Sequence, residues 1–175
     1  MELLHLAYDQ VYDFLEKGGD IVYVILGVIF VLWVLILERV AYLQFGFWTL
    51  FDELNWDWKI RHDRHSWAAR QIRTDYVCQL RIGLNQNLAT IKAIIALCPL
   101  LGLLGTVTGM IEVFDVMVHF GDGSPRAMAS GISKAILSTV AGMVGALTGI
   151  FAHSVLTRMV ARRQTLAEAS IALKP

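Results

Sequence analysis

At 175 residues the chain is short, 56% of it is hydrophobic, and its mean hydropathy of +0.56 is too high for an ordinary water-soluble domain. The apolar residues come in long blocks, so the composition points to a polytopic membrane protein of all-α class. The formal net charge of zero conceals an uneven distribution along the chain, and the two cysteines, Cys78 in a polar stretch and Cys98 in an apolar one, do not form a disulfide framework.

The acidic stretch 1–20 carries Glu2, Asp9, Asp13, Glu16 and Asp20 against Lys17 alone, with 1–19 as an N-terminal segment ahead of the first span. A secretory leader begins basic and runs directly into its apolar part, so this acidic start does not read as one. Leu3, Leu4, Ala7, Val11, Phe14 and Leu15 fall on one helical face. That predicts an amphipathic helix along the outer membrane surface, closed by Gly18 and Gly19, with a short frayed terminus as the alternative.

The first span is expected over 20–45, where IVYVILGVIFVLWVLIL contains no charge. It holds one glycine, Gly27, and is otherwise bulky, which suits a helix facing lipid outside whatever the other spans build. Glu38 and Arg39 end the apolar run, placed to snorkel or pair at the interface, and Tyr42, Phe45, Phe47 and Trp48 continue it as an aromatic belt.

Residues 46–88 form a polar loop and a helical extension. The period through Trp67, Ile72, Tyr76, Leu80 and Leu84 predicts a long helix leading into the second span, with Gly83 its weakest residue. His62 and His65 read as a solvated pair in preference to metal ligands, so no metal site is expected. The loop also holds Asp52, Glu53, Asp57, Asp63 and Asp75, which argues against a nucleic-acid surface.

The second and third spans are placed at 89–119 and 127–157. No charge occurs between Lys92 and Glu112, or between Lys134 and Arg158. Pro99 should kink the second span or free a carbonyl. The intervening turn, 120–126, is rich in breakers, with Ser124 placed as N-cap and Pro125 as the first helical residue; 158–175 is a tail.

Both spans carry small residues at alternating spacings of three and four. These are Cys98, Gly102, Gly105 and Gly109 in one, and Gly131, Ala135, Ser138, Gly142, Gly145, Gly149 and Ala152 in the other. Such a stripe lets other helices approach closely along its whole length. It is expected to turn toward a shared interior occupied by another protein's helix.

Orientation follows from Lys and Arg. Lys59, Arg61, Arg64, Arg70, Arg73, Arg81, Lys92, Arg158, Arg162, Arg163 and Lys174 fall on one side, against Lys17 and Arg126 on the other. The N-terminus is therefore expected outside and the C-terminus inside. No P-loop, dinucleotide fingerprint, nucleophile elbow or CxxC motif occurs, so nothing suggests an enzyme.

Polar groups inside spans are costly and are functional candidates by default. Counting outward from the turn centre near Gly123, Glu112 and Lys134 are equally far from it, which predicts an ion pair within one subunit or between neighbours. Thr106 and Thr139 are nearly level and deeper, with Ser138, Thr108 and Thr148 nearby. These hydroxyls either line a wet proton path or simply bond carbonyls of their own helices. Neither span carries an unpaired acid deep in the membrane, so any proton-carrying carboxylate is expected on a partner.

The segments PLLGLLGTVTGMIEVF and GISKAILSTVAGMVGALTGIF, preceded by LERVAYL, closely resemble the MotA/TolQ/ExbB proton channel family, and within it ExbB in a short form. The resemblance implies a homopentamer of three-span subunits in the bacterial inner membrane, N-terminus periplasmic and C-terminus cytoplasmic. In it the second and third helices line a pore around ExbD-like single-span subunits. It further implies that Thr106 and Thr139 face a carboxylate of the ExbD-like helix, that protons are the coupling ion with no other cofactor, and that a TonB-like protein carries the output to outer-membrane nutrient uptake. One departure stands out: relatives typically carry an acid at the position of Lys134, whereas here the acid is Glu112. A TolQ-like envelope motor and a non-conducting membrane scaffold are the alternatives; a MotA-type stator would carry a fourth span.

Overall fold

A computed structural model describes residues 2–46, 51, 56, 66–120 and 125–170; Phe47, Trp48, His62, His65 and Ser124 lie outside them. Helix α1 spans Glu2–Ala41 and is followed by a π-helical turn over Tyr42–Gly46; α2 spans Trp67–Asn85, α3 Leu88–Phe120 and α4 Pro125–Ser170. Three helical stretches are long and apolar enough to cross a membrane: Gly18–Gly46, one within Trp67–His119, and Met128–Ala167.

The helix bounds follow local chemistry. Within α1, Gly19 leaves helical geometry at φ 70°, ψ −175°, a left-handed backbone that favours glycine, so the acidic N-terminal helix and the first span are two helices joined by a kink. Helix α2 begins at a Ser66 N-cap whose hydroxyl accepts the Ala69 N–H at 3.1 Å. Pro125, pre-set in φ and lacking an N–H, opens α4. Helix α3 runs through Pro99 as one element. The long helix expected to enter the second span is interrupted, at Gln86–Asn87 and not at Gly83: Asn87 has φ 63° and the Gln86 cap has ψ 140°. Helix α4 continues past 157 to Ser170, absorbing most of what reads as a tail.

The chain divides into two compact units, Met1–Trp33 with Ala93–Ile150, and Val34–Lys92 with Phe151–Pro175. In the first, Val22, Ile25 and Leu32 of α1, Ile95, Cys98 and Val113 of α3, and Ala135, Ser138, Ala141 and Ala146 of α4 are buried. On α3 and α4 the buried glycines Gly102, Gly105, Gly109, Gly131, Gly142, Gly145 and Gly149 fill the intervals, so that 95, 98, 102, 105, 109 and 113, and 131, 135, 138, 142, 145 and 149, recur at three- and four-residue steps, the seam of knobs-into-holes packing. In the second unit the core is Ile36, Leu43, Ala69, Leu80, Leu84, Leu88, Ile91, Leu156, Val160 and Ala167, together with the charged Arg39.

Only 22%, 28% and 33% of the three most apolar windows are buried within the chain, so most of their apolar side chains face outward. Among lipid tails that exposure costs little, and helix association rests on close packing and interhelical hydrogen bonds instead. The glycine stripes therefore dominate the first unit.

Candidate functional site

The site is built on the pairing of α3 with α4. A methyl added at Gly102 would lie 3.1 Å from Thr139 Cα; at Gly109, 2.8 Å from Ala135 Cβ and 2.9 Å from Gly131 O; and at Gly142, 2.5 Å from Cys98 O. One at Gly105 would overlap the Ser138 side chain, and one at Gly131 would lie 2.6 Å from Val113 Cγ2. Contact positions fall along α3 as they rise along α4, so the two form an antiparallel hairpin with backbones in direct contact.

Helix α1 closes one side of this seam. The Gly145 and Gly149 positions meet Ile29 and Leu32, Gly149 also meets Ile95, and Ile21 reaches Gly105. Here the structure corrects the sequence-based expectation. The glycine-lined faces do not open onto a shared interior, because they are filled within the chain by each other and by α1. A glycine groove accepts the nearest helix able to approach, and the tight turn makes that the neighbouring span.

The hairpin consequently has two sides. Successive residues turn by roughly 100°, so Thr106, one residue beyond Gly105, and Thr139, one beyond Ser138, emerge on the side away from α1. Thr108, Glu112 and Lys134 emerge on the side beside α1, with Gly18, Gly19, Asp20 and Ile21 across a pocket of about 210 Å³ that Gly105, Gly109 and Ser138 also line.

Within that pocket Lys134 Nζ donates to Glu112 Oε2 at 2.8 Å, the side chains being 33% and 53% exposed. Lysine's length closes the gap: its aliphatic stem passes the Gly19 kink, Cδ lying 3.5 Å from where a Gly19 Cβ would be. Asp20 brings a second carboxylate to the same pocket. Sequence reasoning placed Asp20 in the acidic N-terminal segment and did not connect it with this pair.

The hydroxyls divide into two kinds. Thr106 Oγ1 donates to Leu103 O at 2.7 Å, Ser138 Oγ to Ala135 O at 2.9 Å, Thr108 Oγ1 to Leu104 O at 3.2 Å and Gly105 O at 3.1 Å, and Thr148 Oγ1 to Gly145 O at 3.0 Å. All of these are bonds within one helix. Thr139 Oγ1 alone also crosses, reaching Gly102 O as well as its own Ala135 O, each at 3.2 Å. Ser138 is 1% exposed in the glycine seam, so it stands apart from the two half-buried threonines. Thr106 lies one turn along α3 from Gly102, so it and Thr139 border the same face without bonding each other.

That face is otherwise apolar: Leu103, Met110, Ile132, Ile136 and Met143 are exposed around the two hydroxyls. It can accept a helix that is apolar except for one group able to exchange a proton or hydrogen bond. Each threonine keeps acceptor lone pairs while donating to a carbonyl. Among the described residues no group of three or more His, Cys, Asp or Glu is placed to hold a metal.

The chain resembles known proteins of one family in sequence. The model of the MotA/TolQ/ExbB proton channel family matches residues 52–169. The chain is 44% identical over 72 residues to an ExbB-like biopolymer transport protein of Synechocystis sp., covering 39% of this chain and 28% of that one. It is 31% identical over 84 residues to the biopolymer transport protein ExbB of Helicobacter pylori, covering 48% of this chain and 58% of that one. Against ExbB of Salmonella typhimurium the figures are 33% over 76 residues, 43% and 30%. The matched part thus spans less than two thirds of each relative.

Proposed function

The chain belongs to the MotA/TolQ/ExbB proton channel family, and from that premise we propose that it is the ExbB-type subunit of a proton-driven motor in a bacterial inner membrane. Five copies assemble with their N-termini in the periplasm, and the α3–α4 hairpins surround an ExbD-like single-span subunit. A TonB-like protein carries the output to nutrient uptake across the outer membrane.

The observation that supports this reading is the pair of threonine hydroxyls on an otherwise apolar hairpin face, on the side that α1 leaves uncovered. A partner carboxyl arriving there protonated can donate to a threonine oxygen. Once ionised it needs a donor, which a threonine supplies by rotating its hydroxyl away from the Leu103 or Ala135 carbonyl. Glu112 and Lys134 neutralise each other beside α1, so the mobile charge is left to the partner. With the acid on α3 and the base on α4, the pair keeps a polar contact at this level.

The experiment is proton flux into vesicles containing the chain and its single-span partner, with Thr106→Val and Thr139→Val. Loss of flux with assembly intact is expected; unaltered flux in the double variant would overturn the threonine path, and absence of flux from the parent complex would favour a non-conducting scaffold. The same geometry would serve a TolQ-like envelope motor, and complementation of strains lacking either system separates the two.

A further inference from the structure

Nothing in the local sequence requires the helix to break at Gln86–Asn87, since neither residue is glycine or proline and α3 resumes at once. The backbone ledger locates the cost. Gln86 N–H still bonds Ile82 O at 3.0 Å, and the next ladder begins with Ile91 N–H on Asn87 O at 3.0 Å. In an unbroken helix, Gly83 O and Leu84 O would accept the N–H groups of Asn87 and Leu88; the break leaves both carbonyls without those partners.

Arg39 supplies the replacement. Its side chain is 4% exposed, and Nη2 donates to both Gly83 O and Leu84 O. The guanidinium stacks over the Tyr42 ring, 4.8 Å from its centroid, one turn along the same chain segment. A buried cation is tolerable only when matched, and two carbonyl dipoles at a helix C-terminus are a fitting match. From sequence this arginine is expected to snorkel or pair at the interface; it is instead buried on the α2 carbonyls.

We infer that Arg39 is the pin of a two-position joint: it holds the α2–α3 break by occupying carbonyls that would otherwise close the helix across Gln86–Asn87. With the pin withdrawn, Asn87 and Leu88 donate to Gly83 and Leu84, Asn87 leaves its left-handed conformation, and α2 and α3 become one helix. This inference stands independently of the proton-motor reading.

The test is residue-resolved hydrogen exchange on the full chain in nanodiscs, following the amides of residues 87–90. Those amides lie at the start of α3, where a helix leaves its N–H groups without ladder partners. In Arg39→Met their exchange should slow about tenfold as they enter a continuous ladder. Adding Asn87→Gly, which favours the left-handed break, should return exchange toward the parent rate. Arg39→Lys keeps the charge on a compact ammonium and should fall between, and it carries the test alone if Arg39→Met does not fold. Exchange at the parent rate in Arg39→Met, or in Arg39→Lys if only that variant folds, overturns the inference, as does slowing that Asn87→Gly leaves unchanged.

Discussion

Neutralising Glu112 and Lys134 singly and together measures how strongly the polar pocket ties α3 to α4. At 2.8 Å the gross attraction is about 6 kcal/mol at an effective dielectric of about 20, and about 1.5 kcal/mol in bulk water. Both side chains retain exposure, 33% and 53%, so the net coupling should sit well below the larger figure. We expect about 1–2 kcal/mol from the cycle of Glu112→Gln, Lys134→Met and the double variant. The single changes should be unequal, because Lys134→Met leaves Glu112 beside Asp20 without a cation, whereas Glu112→Gln leaves Lys134 facing Asp20 across the pocket. The assay is reversible unfolding in bicelles by steric trapping, which reads free energy without detergent titration. Charge reversal gives an independent check: Lys134→Glu should impair assembly, and adding Glu112→Lys should restore part of it. A coupling below about 0.3 kcal/mol, the error of additivity for independent sites, together with a reversed pair no better than Lys134→Glu alone, would refute the ion pair as a working contact.

Other expectations rest on the seam and its flank. Gly142→Ala, whose methyl would lie 2.5 Å from a backbone carbonyl of α3, should cost about 1–3 kcal/mol, whereas Gly27→Ala, with nothing within 4 Å, should be neutral or gain up to about 1 kcal/mol from helix propensity; equal effects in the same unfolding assay would contradict the packing. Gly19→Ala should cost about 1–2 kcal/mol from its left-handed φ alone, since the Lys134 stem leaves ordinary room for a methyl, and unchanged stability would mean the kink is absent. Thr139→Val should lose about 0.6 kcal/mol of interhelical hydrogen bonding, while Thr106→Val, bonded only within its helix, should be nearly silent in stability; a reversed order would count against the observed bonding.

The spans were legible because a charge-free run of about 20 residues has little other physical meaning. The seam was legible because small residues at three- and four-residue steps define one side of a helix. Counting outward from the turn put Glu112 and Lys134 at one level, and flexible side chains absorb the small offset of register between them. What fills a glycine groove is a different question, since any close helix satisfies it, and periodicity does not tell a neighbour in the same chain from one in another. The break at Gln86–Asn87 was illegible for a related reason. It is imposed by Arg39, 44 residues upstream of Gly83, and Asn87, which tolerates a left-handed backbone, permits the break without requiring it. Thr106 and Thr139 were singled out for their depth, but the side of the hairpin they occupy emerged only once α1 was seen against the other.

The most direct measurement of the central claim is photo-crosslinking in cells that also express the single-span partner, with a benzoylphenylalanine placed at Ile136, beside the two threonines, or at Phe30, which is 70% exposed on α1. The account predicts a crosslink to the partner's membrane helix from position 136 and none from position 30. Capture of the partner from position 30, with position 136 reaching only lipid, would contradict it.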